Sequence, residues 1–315
     1  MHFLLSLTNK NVAKNTEARY YVLMKTNGKP VVALIYDFDG TLSPGNMQEF
    51  SFIKALGMSA HEFWEKSDRL SSKNDASNIL CYMKTMLDEA KYRNISISRK
   101  SFTKFGKEIE LFEGVREWFK LINDYGKEKG LEIKHYINSS GLKEMIEGTS
   151  IAQEFEQIFA CSFLYNSDGI AEWPGVAIDY TTKTQFIFKI NKGIKKISDS
   201  VEINKFVPEN ERPVPFKRMI YFGDGETDIP CMKLVKQNGG YSVAVYTPDD
   251  EKKQRKAEQL ILDGRVNFVS PANYRLNGEV YSIVTVILDK IKSDYDFDNL
   301  LLKHKHDAEQ MKLCK

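Results

Sequence analysis

The sequence lacks the features of several common protein classes. Its 315 residues include only four cysteines, which lie far apart and form no C-x-x-C pair, so neither a zinc ribbon nor a dense disulfide framework is expected. No window approaches the run of about 18 apolar residues that a membrane helix needs. Neither sign of charge is in surplus, because 45 lysines and arginines stand against 43 aspartates and glutamates. We therefore expect no nucleic-acid and no membrane partner, since non-specific phosphate binding needs clustered basic residues.

The composition that remains is that of a folded protein. Hydrophobic residues make up 42% of the chain and charged residues 28%, which excludes a predominantly disordered chain. The first apolar residues are too few for a signal peptide, so a cytoplasmic location is expected. Residues 1–23 are weakly periodic and are interpreted as an accessory extension. One hypothesis places the natural start of the protein at Met24 rather than Met1.

Several short apolar runs alternate with helical patterns along the chain. The runs are rich in β-branched residues, as in strands that are buried on both faces of a sheet. Apolar residues recur at i, i+3, i+4 and i+7 over 113–125 and again over 281–291, which indicates amphipathic helices. The alternation predicts an α/β fold with a doubly wound parallel sheet, whose ligand lies beyond the carboxyl ends of the strands. The predicted strands are 31–36, 132–138, 157–163, 218–224 and 241–246.

Two insertions interrupt this alternation. Residues 47–110 carry apolar side chains at helical spacing and no strand-like run, so they predict a helical insertion placed to cover the carboxyl end of the first strand. Residues 165–182 contain an Asn-Ser-Asp-Gly turn followed by an extended-looking stretch, which predicts a small β-hairpin.

The first predicted strand ends in two carboxylates, Asp37 and Asp39, within the sequence DFDGTL. Residues i and i+2 of an extended chain project to the same side, so both carboxylates can reach one small volume. Such a pair is electrostatically costly, and it suggests a metal site or an acid/base couple. A solvated turn is the alternative interpretation of this dipeptide, because Asp and Gly favour turns.

A second polar motif, GDGETD, follows another predicted strand. Asp224 ends that strand facing the same crevice as Asp37, where a hard oxygen ligand would complete a Mg²⁺ site, with Asp228 holding a bound water. Asp228 or Thr227 also has an ordinary explanation as the N-cap of the following helix.

Two further positions complete the candidate site. Ser139, Ser140 and Gly141 follow a strand and precede a helix-like stretch, a common place for phosphate binding, although an ordinary N-cap serine is an equal alternative. Lys183 lies at the start of a predicted helix capped by Thr181 or Thr182 and ending near Gly193. A helix that returns to the start of a strand begins at the carboxyl edge of the sheet, so Lys183 is expected on the side of the aspartates.

Together these four motifs resemble those of the haloacid dehalogenase-like superfamily in order, spacing and strand context. DFDGTL is similar to motif I, Ser139 to motif II, Lys183 to motif III and GDGETD to motif IV. The resemblance implies a Rossmann-like core, here 24–46 and 111–315, with a helical cap of the C1 type at 47–110. The layout looks like that of the phosphoserine phosphatase-like branch.

The resemblance also implies a mechanism with a phosphoaspartyl intermediate. Asp37 would be the nucleophile and Asp39 the general acid and base. Mg²⁺ would be held by the Asp37 carboxylate, the Asp39 main-chain carbonyl and Asp224, with Asp228 beside them. The implied phosphate-binding residues are Thr41, Ser139, Ser140, Gly141 and Lys183. The implied substrate is a small phosphorylated metabolite.

The predicted cap departs from the phosphoserine phosphatase pattern. Those enzymes typically read DFDST and carry a carboxylate soon afterwards. This chain reads DFDGT, with Asn46 near that offset and Glu49 a little later, so phosphoserine is not the expected substrate. Phe63 and Trp64 could line a substrate pocket, and Arg69 and Glu49 could contact the substrate. Core packing for the aromatic residues and a solvated helix face for the charged ones are the alternatives.

Two other functions fit the same motifs. A phosphotransferase or phosphomutase would pass the phosphoryl group to an alcohol or sugar instead of water, and the motifs do not separate it from a phosphatase. A non-catalytic binding protein of the same fold is the third possibility. Against it, all five polar residues that the catalytic motifs require are present: Asp37, Asp39, Ser139, Lys183 and Asp224.

Overall fold

The computed structural model describes residues 29–313. The predicted extension 1–23 and the choice between Met1 and Met24 lie outside the described residues. Seven strands form one sheet in the order β4-β3-β2-β1-β5-β6-β7, and all neighbouring pairs are parallel except β3 with β4. The strands are β1 (Val31–Tyr36), β2 (Glu132–Leu142), β3 (Phe155–Tyr165), β4 (Ala171–Val176), β5 (Met219–Gly223), β6 (Tyr241–Tyr246) and β7 (Phe268–Pro271).

The sheet confirms the predicted α/β fold, and two of its strands, β2 and β3, are longer than predicted. Strand β2 continues through Ser139 and Gly141 to Leu142, and its register with β3 becomes irregular after Asn138. Small polar residues end the apolar run there, so the sequence pattern does not predict that the strand continues. Strand β7 was not predicted, because it has four residues and ends in Pro271.

The second insertion forms a hairpin in a different way from the one expected. The strand β4 pairs antiparallel with the second half of β3, from Ser162 to Tyr165, rather than with a separate strand inside 165–182. The turn between them is closed by Asn166, whose side chain accepts the backbone N–H groups of Asp168 and Ile170 at 3.0 and 3.1 Å.

Helices connect the strands and cover the sheet. The predicted helix over 113–125 is observed at 115–128, and the one over 281–291 is much longer than its apolar pattern. None of the helices in residues 29–313 has a stretch that is long and apolar enough to cross a membrane. The helices are α1 (Met47–Phe50), α2 (Phe52–Ala55), α3 (Ala60–Asn74), α4 (Asn78–Tyr92), α5 (Arg99–Gly106), α6 (Val115–Glu128), α7 (Lys143–Ile146), α8 (Thr182–Lys192), α9 (Ser200–Asn204), α10 (Ile229–Gln237), α11 (Glu251–Leu262) and α12 (Glu279–Leu313).

Helices α1 to α5 lie between β1 and β2, and we call residues 47–106 the helical segment. Its two longest helices, α3 and α4, pack against each other, and its last helix, α5, packs against α7 of the core. That last crossing is very close. A Cβ atom at Gly106 would lie 1.9 Å from the Met145 carbonyl oxygen, and one at Gly148 would lie 2.0 Å from the Thr103 carbonyl oxygen. Only glycine fits at either position.

A chain of hydrogen bonds runs through the core between β1, β2 and α6. Trp118 Nε1 donates to the Tyr36 hydroxyl at 2.9 Å, and that hydroxyl donates to His135 Nδ1 at 3.0 Å. His135 Nε2 then donates to Asn123 Oδ1 at 3.1 Å. Burial lowers the pKa of His135 to about 3, so the imidazole is neutral at physiological pH, as this donor order requires. Both ring nitrogens of the buried His135 therefore have a hydrogen-bond partner.

Candidate active site

The carboxyl edge of the sheet brings the predicted motifs together. Asp37 directly follows β1, Asp224 directly follows β5, and the Ser139–Gly141 stretch lies at the end of β2 between β1 and β3. Lys183 is the second residue of α8, at the same edge. The parallel arrangement explains this convergence, because the strands end on one side of the sheet.

Lys183 links two of the carboxylates and is completely enclosed. Its Nζ lies 3.2 Å from Asp37 Oδ2 and 2.8 Å from Asp228 Oδ1, and it also contacts Thr227 Oγ1 at 3.3 Å. Burial alone would lower the pKa of this amine, but the charges of Asp228 and Asp37 outweigh burial, so the net shift is upward and Lys183 stays protonated. The Tyr221 hydroxyl donates to the same Asp228 oxygen at 2.7 Å.

Asp228 lies beside Asp37 and Asp224 and also at the N-cap position, but the capping interaction is absent. It is the residue before α10, where an N-cap would stand, but its side chain makes no cap hydrogen bond and instead accepts from Lys183 and Tyr221. Sequence analysis did not single out Tyr221. Its place inside a buried strand, three residues before Asp224, was the available signal.

Asp37, Asp224 and Asp228 form a compact acidic cluster. One oxygen from each carboxylate lies within 4.8 Å of the others, and Asp37 Oδ1 and Asp228 Oδ2 are buried without a hydrogen-bond partner. Burial, together with the charges of Asp37 and Asp228, raises the pKa of Asp224 to about 7. Gly40, at φ +72°, allows the close approach of this side chain, since a Cβ there would lie 2.0 Å from Asp224 Oδ2. Unpaired, mutually repelling carboxylate oxygens are the donor set that a hard divalent cation requires.

Asp39 lies beside the cluster at the base of the helical segment. The Met47 N–H donates to Asp39 Oδ1 at 3.0 Å, which fixes the carboxyl group. Its other oxygen lies close to Gly141, where a Cβ atom would be 3.2 Å from Oδ2. Burial, and then the charge of Asp37, raise the pKa of Asp39 well above its usual value. The raised pKa favours the protonated form of Asp39, and its Oδ2 has no hydrogen-bond partner among the described residues.

The serine motif differs from the helix N-terminus that was expected. Strand β2 continues through it, and the helix that follows has only four residues and no side-chain cap. Ser139 Oγ accepts the Gly141 N–H at 3.0 Å, and the Ser140 Oγ is buried without a partner. The Tyr82 hydroxyl of α4 donates to the Ser140 carbonyl at 2.7 Å, which joins the helical segment to the motif.

A cavity of about 520 Å³ opens above these groups, between the sheet edge and the helical segment. Lys183 and Thr41 are fully buried and are not among the residues that line it. The Thr41 hydroxyl has no hydrogen-bond partner, and its carbonyl accepts from Tyr274 at 2.8 Å. The lining residues are Asp37, Asp39, Gly40, Pro44, Gly45, Asn46, Gln48, Glu49, Trp64, Ser67, Asp68, Asn78, Ile79, Tyr82, Ser139, Ser140, Gly141, Asp224, Thr227 and Lys253.

Of the four candidate substrate residues in the predicted cap, two line the cavity and two do not. Trp64 and Glu49 line the cavity, and the Trp64 Nε1 donates to Glu49 Oε1 at 2.6 Å. Phe63 is fully buried in the hydrophobic core, so for it the packing alternative is the correct one. The Arg69 side chain is 73% exposed and pairs with Glu65, away from the cavity.

Helical geometry explains that division and identifies a residue that sequence analysis missed. At about 100° per residue, position 68 lies about 40° from position 64 around α3, whereas position 69 lies about 140° away. Asp68 therefore shares the cavity-facing side with Trp64, and Arg69 does not. The i+4 spacing from Trp64 was a signal present in the sequence. Gln48 and Lys253 were also missed, and no local motif distinguishes them.

Comparison with known proteins agrees with the observed fold. Residues 34–233 match the family model described as haloacid dehalogenase-like hydrolase, which spans more than half of the chain. An uncharacterized protein of Borreliella burgdorferi is 29% identical over 279 residues, which cover 80% of this chain and 94% of that protein.

Similar solved structures are found at lower identity. A probable phosphoserine phosphatase from Vibrio cholerae is 12% identical, with a TM-score of 0.52, and the match covers 85% of this chain and 67% of that one. A phosphoserine phosphohydrolase-like protein from Francisella tularensis is 19% identical, with a TM-score of 0.44, over 76% of this chain and 94% of that one. The likeness to the Vibrio cholerae protein shows a shared fold.

Proposed function

Because the chain belongs to the haloacid dehalogenase-like hydrolase family, we propose that it is a Mg²⁺-dependent phosphatase acting on a small phosphomonoester through a phosphoaspartyl intermediate. The observation that carries this proposal is the environment of Asp37. Its carboxylate lines the cavity, with one oxygen 3.2 Å from the buried Lys183 amine and the other without a partner. An anionic nucleophile beside a buried cation suits attack on a phosphate dianion.

In the first half of the proposed reaction, an Asp37 oxygen attacks the phosphorus. A bond forms between them while the bond from phosphorus to the alcohol oxygen breaks. Asp39 donates the proton that the leaving oxygen needs, because its raised pKa favours the protonated form and the Met47 N–H, bonded to Oδ1, leaves Oδ2 available. The alcohol departs, and Asp37 carries the phosphoryl group.

In the second half, Asp39 acts as a base. It accepts a proton from a water molecule whose oxygen attacks phosphorus, and the bond between phosphorus and Asp37 breaks to release inorganic phosphate. Both carboxyl groups then have their starting protonation states. Met47 holds Asp39 in one orientation through both steps, so one residue can serve as acid and then as base.

The remaining polar groups offset negative charge. Lys183 neutralises part of the charge on Asp37 and Asp228, and the Ser140 hydroxyl, which lacks a protein partner, is free to donate to a phosphoryl oxygen. Mg²⁺, held by Asp37, Asp224 and the main-chain carbonyl of Asp39, with Asp228 beside it, would supply further electrostatic stabilisation of the charge that develops on the phosphoryl group.

The experiment that tests the proposal measures release of inorganic phosphate from 4-nitrophenyl phosphate, with Mg²⁺ and with a chelator. Mass spectrometry after a rapid acid quench then looks for one phosphoryl group on the peptide that contains Asp37. We expect turnover only with Mg²⁺ and a phosphorylated peptide that is absent from Asp37→Asn. Turnover that persists in Asp37→Asn would overturn the proposal. Transfer of the phosphoryl group to added alcohols in preference to water would show a phosphotransferase instead.

A further inference from the structure

The cavity has two chemically different ends. At the sheet edge lie the carboxylates and serines of the proposed phosphate site, together with Lys253 of α11. The opposite wall is formed by residues 46–82, at the start of the helical segment. A phosphate held at the sheet edge would direct the rest of its molecule toward that wall, so the wall is the part that can select a substrate.

Charge on the opposite wall has one sign. Glu49 and Asp68 are the charged residues that it contributes to the lining, and neither forms an ion pair with any residue between 29 and 313. Lys253 is the one lysine or arginine among the described lining residues, and it lies on the core side, where its amine donates to Thr247 Oγ1 at 3.0 Å. The wall therefore presents two unneutralised carboxylates to whatever enters.

A buried hydrogen-bond acceptor on the same wall favours a ligand that carries a hydrogen-bond donor. The Gln48 side chain is only 2% exposed and lines the cavity, yet its Oε1 has no hydrogen-bond partner in the described structure. A buried carbonyl oxygen without a donor costs free energy, and a ligand that brings an N–H or O–H group would recover it.

The remaining part of the wall is aromatic and held in place. Glu49 Oε1 accepts from Trp64 Nε1 at 2.6 Å and from Asn46 Nδ2 at 2.7 Å, which fixes the indole beside the carboxylate. The Trp64 and Tyr82 rings meet edge to face with their centroids 6.0 Å apart, and both line the cavity. Aromatic rings beside carboxylates attract organic cations, whereas a carboxylate or second phosphate on the ligand would be repelled.

We propose that the alcohol half of the substrate carries an ammonium or quaternary ammonium group and no second anionic group. Asp68 and Glu49 select either cation by its charge, and Gln48 adds a preference for an ammonium that can donate an N–H. This inference rests on the proposed phosphatase activity, because it identifies the substrate class of the same site. Hydrolysis of such a substrate releases inorganic phosphate and an amino alcohol, with water supplying the new oxygen on phosphorus.

The test compares phosphate esters that differ in charge at one end. Phosphoethanolamine and phosphocholine carry a cation, propyl phosphate is a neutral analogue of similar size, and 2-phosphoglycolate carries a carboxylate. We expect kcat/KM for phosphoethanolamine to exceed that for propyl phosphate by about 10- to 100-fold, the range for a hydrogen bond to a charged group. Phosphocholine, which is attracted by charge and by the aromatic rings but has no N–H to donate, should exceed propyl phosphate by a smaller factor, and 2-phosphoglycolate should be the poorest substrate. Phosphoserine, which carries both charges, should fall between phosphoethanolamine and 2-phosphoglycolate.

Variants of the wall make the test specific. In Asp68→Asn and Glu49→Gln, the ratio of phosphoethanolamine to propyl phosphate turnover should fall toward one, mainly through KM. Asp88→Asn is the matched control, because Asp88 lies on α4 in an exposed ion pair with Lys84. It should leave the ratio unchanged.

The outcomes separate this inference from the proposed function. Equal turnover of phosphoethanolamine and propyl phosphate, with 4-nitrophenyl phosphate still hydrolysed, would overturn the inference and leave the phosphatase standing. Faster turnover of 2-phosphoglycolate would overturn it as well. If no ester is hydrolysed, calorimetry with the same esters decides: tighter binding of phosphoethanolamine would support the selective wall without the proposed reaction, and equal binding would contradict both.

Discussion

The sheet edge and the helical segment meet across one cavity, but their functional side chains are held in different ways. At the sheet edge, Lys183 and Asp228 are fully buried and bonded to each other, so moving one side chain disturbs the other. In the helical segment, Trp64 and Asp68 remain partly or largely accessible, and Asp68 is in no ion pair among the described residues. The proposed chemistry is therefore assigned to a buried, interlocked edge, and the proposed selection to side chains that remain accessible to a ligand.

The largest expected effect is the loss of activity when Asp37, the proposed nucleophile at the sheet edge, is replaced. Asp37→Asn keeps the shape of the side chain but removes its charge, and we expect kcat to fall by about 10⁴-fold or more. Steady-state kinetics with 4-nitrophenyl phosphate measures this. Asp124→Asn, on the exposed face of α6, is the control and should retain full activity. A loss below about tenfold in Asp37→Asn would show that another group performs the attack.

The next effect concerns stability at the sheet edge. Lys183→Met leaves Asp37 and Asp228 buried without their cation, and breaking a buried pair in this way typically costs about 3–5 kcal/mol. Urea unfolding without Mg²⁺ measures the loss. Lys192→Met, at the other end of α8, removes two hydrogen bonds to the carbonyls of Ile203 and Lys205 and should cost about 1 kcal/mol for each. Equal losses in the two variants would contradict the assignment of Lys183 to a buried charge network.

A third effect tests the contact that joins the two regions. Gly106→Ala would place a Cβ atom 1.9 Å from the Met145 carbonyl oxygen, and backbone on both sides leaves little room to adjust. We expect a loss of about 3 kcal/mol in the free energy of unfolding, at the upper end for overpacking. Gly225→Ala has open space around the added methyl and should change stability by less than about 0.5 kcal/mol. A neutral Gly106→Ala would mean that α5 moves freely against α7.

A fourth effect depends on pH and concerns His135 beneath the sheet edge. Its folded-state pKa of about 3 lies below the ordinary value of 6.5, so below pH 6.5 the unfolded chain binds a proton that the folded chain does not. This contribution to stability is complete above pH 6.5 and decreases as the pH falls toward 3. Between pH 6.5 and about pH 5 it should amount to about 2 kcal/mol.

Urea unfolding of His135→Gln at both pH values isolates that contribution. The glutamine variant should lose about 2 kcal/mol less than the native protein over the same interval, whatever its absolute stability. Parallel pH profiles for the two proteins would show that His135 is protonated in the folded state.

The smallest effect is expected within the helical segment itself. Arg69→Ala should change kcat/KM by less than about twofold and stability by less than about 0.5 kcal/mol, because the side chain is largely exposed and its partner Glu65 is too. Measured beside Asp68→Asn, it compares two neighbouring positions on one helix. A loss above tenfold for Arg69→Ala would mean that α3 rotates when substrate binds.

The two regions also differ in how well the sequence predicts them. Asp37, Asp224 and Lys183 could be placed together because strand ends and helix starts in a parallel sheet share one edge, whatever the details of packing. The end of β2 could not be predicted, since small polar residues interrupt its apolar run while the backbone stays extended. For α3 the helix itself was predictable, but its rotation was not. That rotation depends on which apolar side chain packs into the core. Because Phe63 does so, Trp64 faces the cavity and Arg69 faces solvent.

The close crossing of α5 and α7 has a consequence for protein engineering. A new cap grafted over this core would have to retain α5, because no side chain larger than hydrogen fits at Gly106 or Gly148. The part that can be exchanged is the α3–α4 helical hairpin, which is bounded by two backbone reversals with positive φ, Gly57 at +68° and Asn94 at +56°. Of the three residues proposed to select the substrate, such an exchange would replace Asp68 and leave Gln48 and Glu49 in place.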